Sequence, residues 1–344
     1  MDSTIALILI QDGIVNGAIY ALLSMAIVLV FAVTRVIFIP QGEFVAFGAL
    51  TLAMLVNGQV PGTVWLLPIF GAAVLLMELY TAVRTGRYVG LPKVIATCVI
   101  YPWLAFWGVQ QVAASDLPLV VDILITLALV VPLGPMLYRV AYQPLAEASV
   151  LVLLIVSVAV HFALQGSALV FFGAEGWRTP AFISGGIDLG FTRISAQSIF
   201  VVATALVLII ALYLFFERTL YGRALRATAV NRRGARLMGI STNMSGGITF
   251  TLAAFIGALS GILIAPVTTI YYDTGFLIGL KGFVGAIFGG LVSYPLALVG
   301  SLAVGLLESF SSFWASAYKE VIVFTLILPV LVWRSLTSKH VEDE

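Results

Sequence analysis

The chain has 344 residues, of which 61% are hydrophobic and 10% are charged, and its mean hydropathy is +1.13. A soluble domain with one anchor does not have this composition, so the chain is predicted to cross a membrane many times. The net charge of +1 gives no basic field for nucleic acid. The single cysteine excludes an internal disulfide and a cysteine-based metal site.

Apolar runs of the length that spans a bilayer, roughly 20 residues in a helix, recur along the whole sequence. They cover 5–33, 64–82, 91–109, 119–138, 149–172, 196–216, 247–271, 296–313 and 320–333. Two shorter runs, 41–56 and 282–292, are candidates for re-entrant segments. The first run lacks a basic residue before it and is therefore interpreted as a membrane helix and not as a signal peptide. The predicted fold is an all-α polytopic membrane protein, a bundle of about nine to eleven membrane segments that includes short or re-entrant helices.

The positions of the charges orient these segments, because Lys and Arg near helix ends favour the cytoplasmic side. If every segment crosses, the predicted cytoplasmic loops carry Arg35, Arg84, Arg87, Arg139, the arginines of 218–236, Arg334 and Lys339. The predicted external loops carry Asp116, Glu175, Asp188 and Asp273, with Arg178 and Arg193 as exceptions. The N-terminus is therefore predicted outside and the C-terminus in the cytoplasm.

Six arginines and no acid lie between Arg218 and Arg236. An arginine at the centre of a membrane helix costs roughly 2.5–3.5 kcal/mol, so this block is predicted to lie outside the membrane. It either fixes the topology and attracts anionic lipid or docks another protein. On one helix, small side chains would share a face, at Ala224, Ala227, Thr228, Asn231 and Ala235. A lipid-lying helix needs bulky apolar residues there, so the small face favours a protein partner.

The run "GRALRATAVNRRGARLMGIS" resembles the cytoplasmic loop of bacterial ABC-transporter permeases of the branched-chain amino acid type. Three further stretches resemble the same family in the same order: "DGIVNGAIYALLSMAIVLVFAVTRVIFIPQGEFVAFGA", "GLKGFVGAIFGGLVSYPLALVGSLAVGLLES" and "YKEVIVFTLILPVLVWR". The resemblance implies one permease domain over 1–344, with a coupling loop at 217–246 and a cytoplasmic tail at 334–344. Residues 60–118 have no clear counterpart and are interpreted as an insertion of two helices.

The resemblance implies that the loop contacts a cytoplasmic ATPase. Its candidate coupling residues are Arg223, Arg226, Ala227, Thr228, Asn231, Ala235, Arg236, Met238 and Gly239. The implied partners are two ATP-binding subunits, a second permease subunit, a periplasmic substrate-binding protein and membrane lipid, in a bacterial inner membrane. Since the sequence has no G-x-x-x-x-G-K-[ST] motif, ATP hydrolysis is expected on separate chains. No cofactor, metal or catalytic site is predicted.

The implied cargo is a branched-chain amino acid or a related small polar solute. The residues alone also permit a secondary transporter, which needs buried coupling charges, or a passive channel for a urea-like or amide-like solute.

Polar residues at membrane depth are the candidates for the transport pathway, because burying an ionisable group in a bilayer is costly. The candidate pathway or gate residues are Gly17, Tyr20, Gln41, Gly42, Glu43 and Glu308. The family usually has His-Gly-Glu at 41–43, so a role for that histidine is not transferred. Glu43 either caps a helix start or acts in the pathway.

Other polar residues in the apolar runs have structural interpretations. Lys281 and Lys319 are predicted to snorkel from segment starts to the interface. His161 is predicted to pair with Gln165 in the core, and Glu78 with Arg84 at the membrane edge.

Overall fold

The computed structural model describes residues 3–86, 88, 90–115, 117–188 and 193–337. The α-helices are α1 Ser3–Thr34, α2 Gln41–Val56, α3 Thr63–Thr85, α4 Leu91–Ile95, α5 Tyr101–Val112, α6 Leu119–Val130, α7 Leu133–Leu137, α8 Val150–Phe172, α9 Ala196–Arg218, α10 Leu220–Val230, α11 Arg232–Leu237, α12 Thr242–Ile264, α13 Thr274–Phe288, α14 Tyr294–Trp314, α15 Lys319–Thr325 and α16 Ile327–Thr337. One antiparallel hairpin pairs β1 Gly186–Asp188 with β2 Arg193–Ser195.

Within the described residues, nine helical segments are long and apolar enough to cross a membrane. Each overlaps one of the nine runs predicted from hydropathy, and the bounds differ by at most seven residues. Three of these segments are composite. In the first, a π-helical turn at Ala96–Ile100 joins α4 to α5. In the second, α6 continues into α7, which a π-helical turn at Tyr138–Tyr142 extends, and in the third α15 leads into α16. The prediction of an all-α polytopic membrane protein is confirmed.

The two shorter apolar helices are α2 and α13, with 16 and 15 residues. The predicted bounds of the second short segment, 282–292, are wrong, because α13 begins at Thr274 and ends at Phe288. Gly282 and Gly285 lie inside this helix and allow it to pack closely on α1 and α14, so these glycines do not mark its start.

Close helix contacts hold α1 against α14. A Cβ atom on Gly17 would lie 3.0 Å from the Cα atom of Leu302, and one on Gly13 would meet Leu306. Backbones approach this closely only where small residues occupy the interface. Gly17, a candidate pathway residue, therefore lies in a helix–helix contact.

Helix α2 begins in the interior of the bundle. The segment 35–40 turns back from the end of α1, with Arg35 in the left-handed region at φ 62°. Phe38 in this segment is buried against Phe44, Tyr142 and Phe250. Every residue of α2 except Val56 is buried. The N-terminus of α2 therefore lies deep in the protein, as expected for a segment that re-enters a bundle.

The connecting loops gather at two opposite ends of the bundle. At one end, which we call the arginine end, Leu225 packs on Leu29 and Val33 near the end of α1. At the other, the hairpin end, Arg178 donates to the carbonyl groups of Pro266 and Val267. The predicted cytoplasmic segment around Arg139 lies near Asn243 at the arginine end, and the predicted external segment around Glu175 packs near Thr269 and Tyr271 at the hairpin end. Arg87, Asp116, Lys339 and the end of the predicted tail lie outside the described residues.

Candidate transport and coupling sites

The loop at the arginine end consists of two short helices. The Thr219 hydroxyl accepts from the amide of Gly222 and starts α10, and the Asn231 side chain accepts from the amide of Gly234 at 2.8 Å and starts α11. Asn231 itself is extended, with φ −148° and ψ 100°. The predicted continuous helical face is wrong, because Asn231 caps a new helix. Gly239 ends α11 at φ 81°, a conformation that favours glycine.

The small side chains of this loop face the protein's own bundle. Thr228 is buried, and its hydroxyl oxygen lies 3.2 Å from that of Ser245 on α12. Ala235 is also buried, whereas Ala227 remains exposed. The predicted small docking face is therefore wrong for Thr228 and Ala235. These two positions pack the loop onto the membrane domain, where small residues permit close approach.

Large apolar side chains project from the loop instead. Val230 is 87% exposed, Leu237 88% and Met238 83%. Val230 ends α10, Leu237 ends α11, and Met238 follows directly. Large exposed apolar side chains on a loop that carries six arginines are candidates for a protein interface. Of the predicted coupling residues, Met238 belongs to this group, which we call the apolar tip (Val230, Leu237 and Met238).

The arginines tie the loop to its surroundings. Arg226 pairs with Glu217 at the end of α9, and Arg236 pairs with Glu147 at 3.0 Å. Arg232 donates to the carbonyl group of Ala146, and Arg223 to that of Glu217. Each exposed ion pair contributes only about 0–1 kcal/mol. Together, they fix the position in which the loop presents its apolar tip.

A first polar cluster lies at the start of α2. The Nδ1 atom of His161, on α8, is 2.9 Å from Oε1 of Glu43, and the His161 ring stacks on Phe276 at 4.4 Å. Gln41 donates to the carbonyl group of Ala253. The predicted pairing of His161 with Gln165 is wrong, because the ring reaches Glu43 on a neighbouring helix. Neither helix carries a local sequence signal for this contact.

The Glu43 cluster retains unpaired acceptors. Oε2 of Glu43 and Oε1 of Gln41 are buried without a partner among the described residues. Gly42, between them, packs directly on Gly275 and Gly279 of α13. The N-terminus of α2 therefore brings a carboxylate and an amide side chain to one point inside the bundle, where the helix dipole favours negative charge.

A second polar cluster joins α1, α13, α14 and α15. Tyr20 donates to Oε2 of Glu308 at 2.5 Å, and Lys281 Nζ lies 2.5 Å from Oε1 of the same carboxylate. Lys281 also pairs with Glu320 at 3.1 Å. The predicted snorkelling of Lys281 is wrong, because this lysine is buried in α13 and surrounded by carboxylates. Lys319, in contrast, lies partly exposed at the start of α15.

This second cluster faces a cavity of about 470 Å³ near the hairpin end. Its lining residues are Asp12, Val15, Asn16, Tyr20, Ser198, Ile264, Val267, Thr268, Thr274, Leu277, Ile278, Lys281, Glu308 and Lys319. The cavity therefore presents side chains of both charge signs together with hydroxyl and amide groups. Such convergent polar groups in a concave site are typical of a small-ligand site.

The structure divides the six pathway candidates into three places. Gln41, Gly42 and Glu43 lie together at the start of α2. Tyr20 and Glu308 line the cavity near the hairpin end, and Gly17 lies in the α1–α14 contact. Helix α13 touches both polar clusters, through Phe276 on one side and through Lys281 on the other.

A model of the permease component of the branched-chain amino acid transport system matches residues 9–331 of the chain. The chain belongs to this family. The resemblance predicted from its four sequence stretches is thereby confirmed. The permease is 30% identical over 208 residues to the high-affinity branched-chain amino acid transport system permease protein BraD of Pseudomonas aeruginosa, covering 58% of this chain and 68% of the relative.

Two further relatives give the same result. The permease is 31% identical over 202 residues to the high-affinity permease protein LivH of Escherichia coli, covering 56% of this chain and 65% of the relative. It is 28% identical over 237 residues to a probable branched-chain amino acid transport permease protein of Methanocaldococcus jannaschii, covering 67% of this chain and 72% of the relative. The permease thus spans about two thirds of the length of these relatives.

Proposed function

We propose that this permease is the membrane subunit of an ATP-driven importer for branched-chain amino acids or a related small polar solute. Its proposed partners are two cytoplasmic ATP-binding subunits, a second permease subunit and a periplasmic substrate-binding protein, and it is not itself an enzyme. The observation that carries this proposal is the apolar tip at the arginine end. A firmly anchored loop with three exposed apolar side chains fits a groove on another protein.

The proposed orientation places the arginine end in the cytoplasm and the hairpin end outside. The six arginines of the loop support it, because positively charged loops are retained on the cytoplasmic side. The loop is then accessible to ATP-binding subunits, and the hairpin end is accessible to a binding protein. Residues 60–118, which contain α3 to α5, remain a proposed insertion.

The proposed entry site for the solute is the cavity near the hairpin end. Of its charged residues, Lys319 matches the carboxylate of an amino acid and Asp12 matches the ammonium group, whereas Lys281 and Glu308 already pair with each other. The Glu43 cluster lies further along, on the other side of α13, and is proposed as a gate. Its unpaired oxygen atoms support this role, since buried acceptors without partners are uncommon in a purely structural site.

Docking is tested by substitutions on the apolar tip, with the ATP-binding subunits co-expressed and captured through a tag on the permease. Met238→Asp and Leu237→Asp should abolish capture and ATP-dependent uptake, because each places a charge in an apolar contact. Ala227→Trp, on the exposed side of α10, tests whether the helix itself enters the groove.

Arg233→Gln serves as the matched control, because it removes an exposed charge from the same loop and leaves the apolar tip unchanged. Its capture of the ATP-binding subunits should stay near the wild-type level. Loss of capture in Arg233→Gln alone, with both aspartate variants unaffected, would show that the loop acts through charge and would contradict docking by the apolar tip.

A secondary transporter is the second candidate function. The observation that favours it is the buried Lys281–Glu308 pair, since such transporters use buried charges for ion coupling. Uptake into vesicles that contain the permease without any ATP-binding subunit, driven by an ion gradient, would establish this alternative.

A further inference from the structure

Glu78 and Arg139 line one cavity of about 390 Å³ at the arginine end, and no part of the transport mechanism uses it. Glu78 lies on α3, within the proposed insertion, and Arg139 lies in the π-helical turn that extends α7. The predicted ion pair between Glu78 and Arg84 is wrong, because α3 turns Glu78 towards this cavity.

Neither charge has a partner in the part of the chain that the structure describes. Among the described residues, no ion pair or hydrogen bond includes the side chain of Glu78 or that of Arg139. Both residues are half-buried. Two charges of opposite sign that face one cavity without meeting each other match a ligand that carries both charges.

The walls of the cavity are amphipathic. Val74 and Met77 form an apolar side, and Thr81, Gln143 and Asn243 supply hydroxyl and amide groups. On the same helix, Leu76, Tyr80 and Val83 are exposed, as expected for the membrane-facing side of α3. The cavity therefore lies where a headgroup meets the acyl region.

We propose that this cavity binds phosphatidylethanolamine from the inner leaflet. Glu78 accepts hydrogen bonds from the primary ammonium group, Arg139 donates to the phosphate, and the acyl chains follow the apolar side of α3. A purely anionic lipid would leave Glu78 unpaired, and a choline headgroup has no N–H group to donate to it. The lipid would thus join the proposed insertion to α7 and α12.

The first test is the lipid content of the purified permease, measured by native mass spectrometry after expression in Escherichia coli membranes. Glu78→Gln combined with Arg139→Gln should lower bound phosphatidylethanolamine by about tenfold, the effect of losing charge-assisted hydrogen bonds. Bound phosphatidylglycerol should not change. Arg84→Gln is the matched control, since it removes an exposed charge from the same helix outside the cavity.

The second test compares unfolding temperatures in nanodiscs of phosphatidylethanolamine and phosphatidylglycerol with those in nanodiscs of phosphatidylcholine and phosphatidylglycerol. The wild type should unfold at a higher temperature with phosphatidylethanolamine, and the double variant should show no difference. Equal phosphatidylethanolamine content in the wild type and the folded double variant would overturn the proposal. Displacement of the lipid by free leucine would also overturn it, because the zwitterion would then be an amino acid.

Discussion

Glu43 and His161 are 118 residues apart in the chain, yet the Nδ1 atom of His161 lies 2.9 Å from Oε1 of Glu43 in the interior of the bundle. The contact joins the start of α2 to the middle of α8. It satisfies only one oxygen of the carboxylate, since Oε2 has no partner among the described residues. The pair therefore combines a structural hydrogen bond with an acceptor that is free to bind water or a solute.

The Glu43→Gln variant separates these two roles. Its amide oxygen can still accept a hydrogen bond from His161, so we expect a loss of about 1 kcal/mol in unfolding free energy or less. Glu43→Leu leaves the imidazole unpaired and should cost about 1–3 kcal/mol. If Glu43 acts as a gate, Glu43→Gln should assemble normally and transport poorly in a vesicle uptake assay. Uptake at the wild-type rate would leave Glu43 only the structural role of pairing with His161.

The second cluster predicts unequal effects of removing its two main charges. Lys281→Met leaves Glu308 and Glu320 without their shared cation, whereas Glu308→Gln leaves Lys281 paired with Glu320. Breaking a buried ion pair costs about 3–5 kcal/mol when one charge is left uncompensated. Lys281→Met should therefore lower the unfolding temperature in detergent more than Glu308→Gln does.

The double variant Lys281→Met with Glu308→Gln completes this thermal comparison. It should be more stable than Lys281→Met alone, because it removes the buried Glu308 carboxylate that Lys281→Met leaves without a cation. If the double variant lowered the unfolding temperature by the sum of the two single effects, the two side chains would not interact.

Two glycines offer a matched test of helix packing. A Cβ atom on Gly42 would collide with the carbonyl group of Gly275, whereas one on Gly247 of α12 would meet no atom within 4 Å. Gly42→Ala should cost about 1–3 kcal/mol through overpacking. Gly247→Ala should be neutral or stabilise the helix by about 0.5–1 kcal/mol. Thermal unfolding of both variants measures the difference, and equal stability would contradict the α2–α13 contact.

Cysteine labelling checks the proposed orientation. Cys98, the sole cysteine, is buried and should react poorly with an impermeant maleimide in intact cells. Ser184→Cys is exposed at the hairpin end and should react from outside, and Leu237→Cys should react only in inverted vesicles. Leu237 is chosen as the labelling position of this loop because it is exposed, whereas Thr228 is buried. Strong labelling of Leu237→Cys in intact cells would reverse the orientation.

The sequence alone determined the class of fold and the family of this permease. Runs of apolar residues predicted the membrane helices because spanning a bilayer depends on local hydropathy. The arginine block predicted a loop outside the membrane because desolvating each arginine is costly at any position in the bilayer core. Both signals are contained in consecutive residues, and no knowledge of helix packing is needed to use them.

Only the tertiary structure decided which polar side chains meet and which side of the loop is exposed. Lys281 was predicted to reach the interface, but the packing of α13 against α1 and α14 directs it to Glu308. Thr228 was predicted on a docking face, but it packs against Ser245, because α10 contacts α1 and α12 through the face that carries Leu225 and Thr228. Such pairings depend on the relative placement of helices that are distant in sequence, so local periodicity contains no information about them.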